Sequence, residues 1–313
     1  MVGTVVLIGY LFWSTDLAAA YAALMGANLL ATLATLVGFT LAVWLFDSIC
    51  LVWLIDVTLG HRGEQHPMPL RQVAAIKAAS YILNIVNYNA ATLGMGWLVS
   101  RRKKVGVVES VAALAVLSYI DLVALSALVV AGLWLAPDIL LGHELLEQRL
   151  ETICTTIFCL ALGCLILLQS GLRVGFLDRL RGLALLRPVA AISPPTMMLG
   201  VVMRMGFVLL YVAANYCLML AFGMRPDLYL LLVFIPILTV VGVVPLSISG
   251  LGTTQILMRT LYAPMVVGGV EVVPVIDAYS TVMILGFILV RLLVAAPYLP
   301  AVLAEIRQRQ GSD

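Results

Sequence analysis

The chain has 313 residues, 63% of them hydrophobic and 11% charged, with a formal charge of +2 and a mean hydropathy of +1.12. Such values exclude an ordinary soluble domain; a formal charge of +2 says little about partners in a membrane chain, and nucleic acid is not suggested. They predict an all-α, polytopic integral membrane protein: one transmembrane domain over residues 1–313, with about six to eight spans of ~20 apolar residues each.

The opening run, residues 2–13, is short for a complete span. The next, 17–59, would measure ~65 Å as one helix, so it is expected to tilt, kink or end in an interfacial piece after residue 46, where Asp47 and Asp56 occur. Further apolar runs follow at 72–99, 105–136, 152–170, 197–223, 228–265 and 275–303. Loops 60–71, 101–104 and 171–187 and the C-terminal tail hold most of the Arg and Lys, which predicts a cytoplasmic location for them in a protein of the cytoplasmic membrane. Loops 142–151, 223–228 and 266–278 are acidic or balanced and belong outside.

On that assignment the run after residue 70 starts and ends inside, and the run after 228 starts and ends outside. Each is expected to be a re-entrant hairpin, about 70–100 and 228–265, the two in inverted arrangement. The first breaks at Asn84, Asn87 and Asn89, before Gly94 and Gly96; the second breaks at Pro245-Leu-Ser-Ile-Ser-Gly-Leu-Gly-Thr-Thr-Gln255, which contains Ser247, Ser249, Gly250 and Gly252. Broken helices at depth persist only where protein or a wet cavity satisfies the freed backbone. The alternative is that 228–248 spans fully, with Pro236 and Pro245 as kinks.

Ionisable groups inside the apolar runs cost ~2.5–3.5 kcal/mol each on insertion scales, so each calls for a reason. Lys77, Arg204 and Arg291 fall in the inner half and Arg259 in the outer half; Asp121 is deep, while Asp47 and Glu109 lie near the inner boundary. The expected positive excess suits an anionic group such as a phosphate, unless each side chain snorkels to its own interface. The five cysteines lie in apolar runs as packing residues, His61, His66 and His143 lie in loops, and no phosphate-binding glycine loop occurs. No metal site, cofactor or catalytic constellation is expected, and the chain is read as a non-enzyme.

The segment Pro245–Gln255 resembles the P-x-S-x-x-G-L-G-x-x-E signature of the transmembrane flippase region of lysylphosphatidylglycerol synthases and their stand-alone relatives, with Gln255 in place of the glutamate. The Asn84 break and the basic cluster Arg101-Arg102-Lys103-Lys104 sit where that family has a second motif, and the resemblance spans roughly residues 17–300. It implies a helical bundle with re-entrant segments that moves a lipid between leaflets, and a separately encoded lipid-modifying enzyme as partner. The expected function is translocation of an anionic phospholipid or an isoprenoid or glycolipid headgroup. Lys77, Asp121, Arg204, Arg259, Arg291 and the polar residues of the two breaks are the expected path. Alternatives are a secondary transporter of a small polar or anionic solute and a non-transporting scaffold; the sequence leaves room for a homo-oligomer.

Overall fold

Two capping side chains divide the first long apolar stretch. The computed structural model describes residues 16–60, 67–86, 88–135, 144–170, 172, 174–183, 186–243, 253–267, 271–302 and 304. Helix α1 (Leu17–Gly26) starts where the Asp16 carboxylate accepts from the N–H groups of Ala18 and Ala19 at 2.9 and 3.0 Å. Helix α2 (Leu29–Leu59) starts at Asn28, whose side chain accepts from the Ala31 N–H at 3.0 Å and whose own N–H donates to the Ala221 carbonyl at 2.8 Å. The run 17–59 therefore breaks at its beginning. The interfacial piece expected after residue 46 does not form, since α2 continues unbroken through Asp47 and Asp56 to Leu59.

Ten more helices follow: α3 (Leu70–Val86), α4 (Tyr88–Lys103), α5 (Val107–Leu135), α6 (Glu144–Gln169), α7 (Gly175–Gly182), α8 (Arg187–Ala191), α9 (Pro194–Ala221), α10 (Leu228–Val243), α11 (Thr253–Leu261) and α12 (Val272–Ala295). Two 3-10 turns, Ala263–Met265 and Ala296–Tyr298, follow α11 and α12, and no strand occurs among the described residues. Among the described residues, five stretches are long and apolar enough to cross a membrane: Leu29–Leu59, Val107–Leu135, Glu151–Gln169, Pro194–Ala221 and Val272–Val302. Residues 2–13, the expected short first run, lie outside the described residues.

Helices α3 and α4 pack side by side, and Gly94 lies opposite the Leu83 side chain. Their free ends are stitched together: Arg102, near the end of α4, donates to the Gln72 carbonyl in the first turn of α3 at 3.2 Å. The segment holding α10 and α11 also meets end to end, because the Arg225 N–H donates to the Met265 carbonyl at 2.8 Å.

The apolar interior forms two clusters. One joins Leu59, Met68, Val99, Leu168, Val189 and Val302, and so gathers the ends that border the basic loops 60–71, 101–104 and 171–187 and the C-terminal tail. The other joins Leu36, Leu133, Met219, Leu231, Met265 and Ile276 at the opposite end. Arg181 secures the first end. Its guanidinium donates to the carbonyls of Leu167, Leu168 and Leu172 at 2.9, 3.0 and 2.8 Å and to that of Ser170, satisfying the last turn of α6.

Helix α9 comes close to α2 and α5 at Gly200, where an added Cβ would meet Trp53 Cη2 at 2.7 Å and Ile120 Cδ1 at 2.9 Å. Gly163 on α6 faces open space. Gly200→Leu is expected to destabilise the detergent-solubilised protein by about 1–3 kcal/mol through overpacking, whereas Gly163→Ala leaves the thermal unfolding midpoint unchanged or raised.

Candidate functional site

The deep charges lie between the two apolar clusters. By helical rise, Asp47 is ~18 Å along α2 from Leu59, Lys77 ~10 Å along α3 from Leu70, Asp121 ~21 Å along α5 from Val107, and Arg204 ~15 Å along α9 from Pro194. These depths let four helices point an ionic group at one layer.

There, Asp47 takes Lys77 Nζ on Oδ2 and Arg204 Nη1 on Oδ1, the latter at 2.5 Å, while Arg204 Nε donates to Asp121 Oδ1. The Arg204 guanidinium also stacks 3.8 Å from the ring of Phe207, one turn along the same helix. Two of the three inner cations expected to be uncompensated are thus neutralised. Asp47, expected near the inner boundary, is the centre of the network and 3% exposed. The correction has a simple physical basis: a buried cation costs least when it shares a carboxylate and keeps its hydrogen bonds.

Arg259 is neutralised as well. It meets Asp277 in a two-pronged contact, Nε to Oδ1 at 2.7 Å and Nη2 to Oδ2 at 2.6 Å. One turn earlier, Gln255 Nε2 donates to Thr281 Oγ1 at 3.2 Å. Together these polar contacts clamp α11 onto α12, so neither residue is an open ligand.

Arg291 differs. Its Nη2 donates to the Tyr211 hydroxyl at 2.7 Å, and its guanidinium lies 5.5 Å from the ring centroid of Tyr81, which also receives Lys77 at 5.9 Å. No carboxylate among the described residues lies within ion-pair distance of it.

These groups border a cavity of about 660 Å³, within the usual size range of ligand pockets. Of the expected site residues, Lys77, Asn84, Asp121, Arg204 and Arg291 line it; Gln255 and Arg259 do not. Asn87, Ser247, Ser249, Gly250 and Gly252 lie outside the described residues, as does the side chain of Asn89. The cavity draws polar lining from both interrupted regions, with Thr92 of α4 and Thr254 of α11, and apolar lining from Leu114, Leu125 and Met283.

Sequence reasoning missed Tyr81 and Tyr211. Helical spacing carries their signal: Lys77, Tyr81 and Asn84 follow the i, i+4, i+7 pattern on α3, and Arg204 and Tyr211 are seven apart on α9.

A bundle of long apolar helices and two helix pairs around a polar, ion-paired cavity defines a polytopic membrane protein. The family model described as the lysylphosphatidylglycerol synthase TM region matches residues 1–290, and the chain belongs to this family. It is accordingly a membrane protein related to lipid modification or transport. No curated protein and no solved structure matches the chain.

Asp47→Ala leaves Lys77 and Arg204 buried beside a vacated partner. The expected loss is about 3–5 kcal/mol of stability, followed by thermal unfolding in detergent; adding Lys77→Met should recover part of it, because one uncompensated charge is then removed.

Proposed function

We propose that the chain is a lipid translocase that moves an anionic headgroup between leaflets and performs no covalent chemistry. The observation that carries this reading is Arg291, a guanidinium at a large cavity that makes no ion pair with a carboxylate among the described residues. Arg suits phosphate because its planar fork offers several parallel N–H donors, one of which, on Nη2, is engaged by the Tyr211 hydroxyl. The apolar half of the cavity lining favours a lipid over a small polar solute, since a glycerol and acyl region needs a dry wall and a free anion does not.

In this reading α3–α4 and α10–α11 are re-entrant pairs that approach the midplane from opposite faces. Five crossings between residues 29 and 302 alternate sides only if each pair returns to the face it left. The basic end faces the cytoplasm, so the C-terminal tail lies inside and the cavity loads from the inner leaflet. The lipid is a phospholipid or an isoprenoid or glycolipid carrying a phosphate, supplied by a separate lipid-modifying enzyme.

The test is headgroup flipping in proteoliposomes containing a fluorescent anionic phospholipid. Arg291→Leu is expected to lower the protein-dependent rate by on the order of tenfold or more, and Arg291→Lys to keep part of it as a point charge. Equal rates in wild type and Arg291→Leu would remove the basis of the reading.

A further inference from the structure

The two carboxylates of the network are held unequally. Asp47 engages two cations and its side chain is 5% exposed; among the described residues Asp121 pairs with Arg204 alone, through Nε, and keeps 19% of its side-chain surface exposed while lining the cavity. Arg204 would retain Asp47 if Asp121 became neutral, so a proton can reach Asp121 without leaving a buried cation alone.

The charged groups acting on Asp121 are Arg204 from α9, Asp47 from α2 and Lys77 from α3, with the Cys50 thiol of α2 as a further titratable neighbour. From the other elements packed on α5, α4 contributes Thr92 and α10 contributes Thr239 to the lining, and the described parts of α6 and α8 contribute no charged side chain to it. Arg291 faces the same cavity from α12.

Charge balance then links the proton to the ligand. With both carboxylates ionised, three cations leave the cavity one positive charge; with Asp121 neutral they leave two. In a low-dielectric layer that increment favours an anion, and linkage makes the effect reciprocal. The geometry points to Asp121 as a proton site whose occupancy is coupled to the anionic headgroup, so that proton and lipid load together. This inference rests on the proposed function and adds its energy source: an inward or outward proton gradient biases the direction of lipid movement.

Phosphatidylglycerol is the suitable probe, because its phosphodiester stays singly ionised throughout the range used and any pH effect belongs to the protein. Its affinity for the purified protein would be measured from about pH 8 to about pH 5. The expected result for wild type is binding tighter by on the order of tenfold at the acidic end. In weakly buffered solution, proton uptake should accompany lipid addition. Asp121→Asn keeps an oxygen for Arg204 and should bind tightly at every pH, with no such uptake. If wild-type affinity is flat with pH and no proton is taken up, or if Asp121→Asn keeps the wild-type slope, the coupling is wrong and the translocase reading stands. If phosphatidylglycerol binds neither protein at any pH, the anionic-headgroup reading falls, and the coupling falls with it.

Discussion

Asp47 is the group on which the interior depends. One carboxylate accepts Lys77 from α3 and Arg204 from α9, and Arg204 carries the link to Asp121 on α5, so four helices meet through a single anion on α2. Burying such a group without its partners costs several kcal/mol, which ties Asp47 and its two cations together in the folded protein. It also explains why the apolar interior is divided. The residues above and below this layer, Leu36 and Leu51 on α2 or Val201 and Val212 on α9, fall into separate clusters.

A polar layer of this kind is what interrupted helices require. A helix end leaves backbone groups without an intrahelical partner, and lipid offers them nothing. Asn84 and Thr92 bring the break between α3 and α4 to the cavity wall, and Thr254 does the same for α11. The ion pairs, the breaks and the cavity are therefore one construction. The charges cross-link the surrounding helices beside a cavity of about 660 Å³.

Much of this was legible in the sequence, for reasons that differ by residue. Loop charges, which depend only on local composition, grouped the helix ends beside the basic loops, and Leu59, Met68, Leu168 and Val302 belong to one apolar cluster. Lys77, Arg204 and Arg291 stood out as charges at depth. Their partners did not, because pairing is a tertiary fact: Asp47 and Arg204 are 157 residues apart, and Tyr211 and Arg291 are 80 apart. A lone aspartate in an apolar run resembles an interfacial residue until its cations are known, which is how Asp47 acquired the wrong place. The break at Asn28 was hidden by the unbroken hydropathy of its flanks, although asparagine before a helical run is an ordinary cap.

The two ends of the molecule treat charge differently, and that bears on how a headgroup would cross. Arg259 was expected to receive an anion on the outer side, as a counterpart to the inner cations. Instead Asp277 satisfies it through both prongs, beside the neutral Gln255–Thr281 contact, and neither it nor Gln255 reaches the cavity. On the proposed function, an anion is then held strongly in one layer only, at Arg291 and the groups around it. A second equal site further out would trap the ligand after it crossed, while a neutral exit leaves release to water and the opposite headgroup region. In that reading, such asymmetry makes binding favourable enough to draw a headgroup to the midplane and weak enough beyond it to let go. It places the directional preference in the protonation and ion pairing of the central layer, where Asp121 faces the cavity, and not in a staircase of cations.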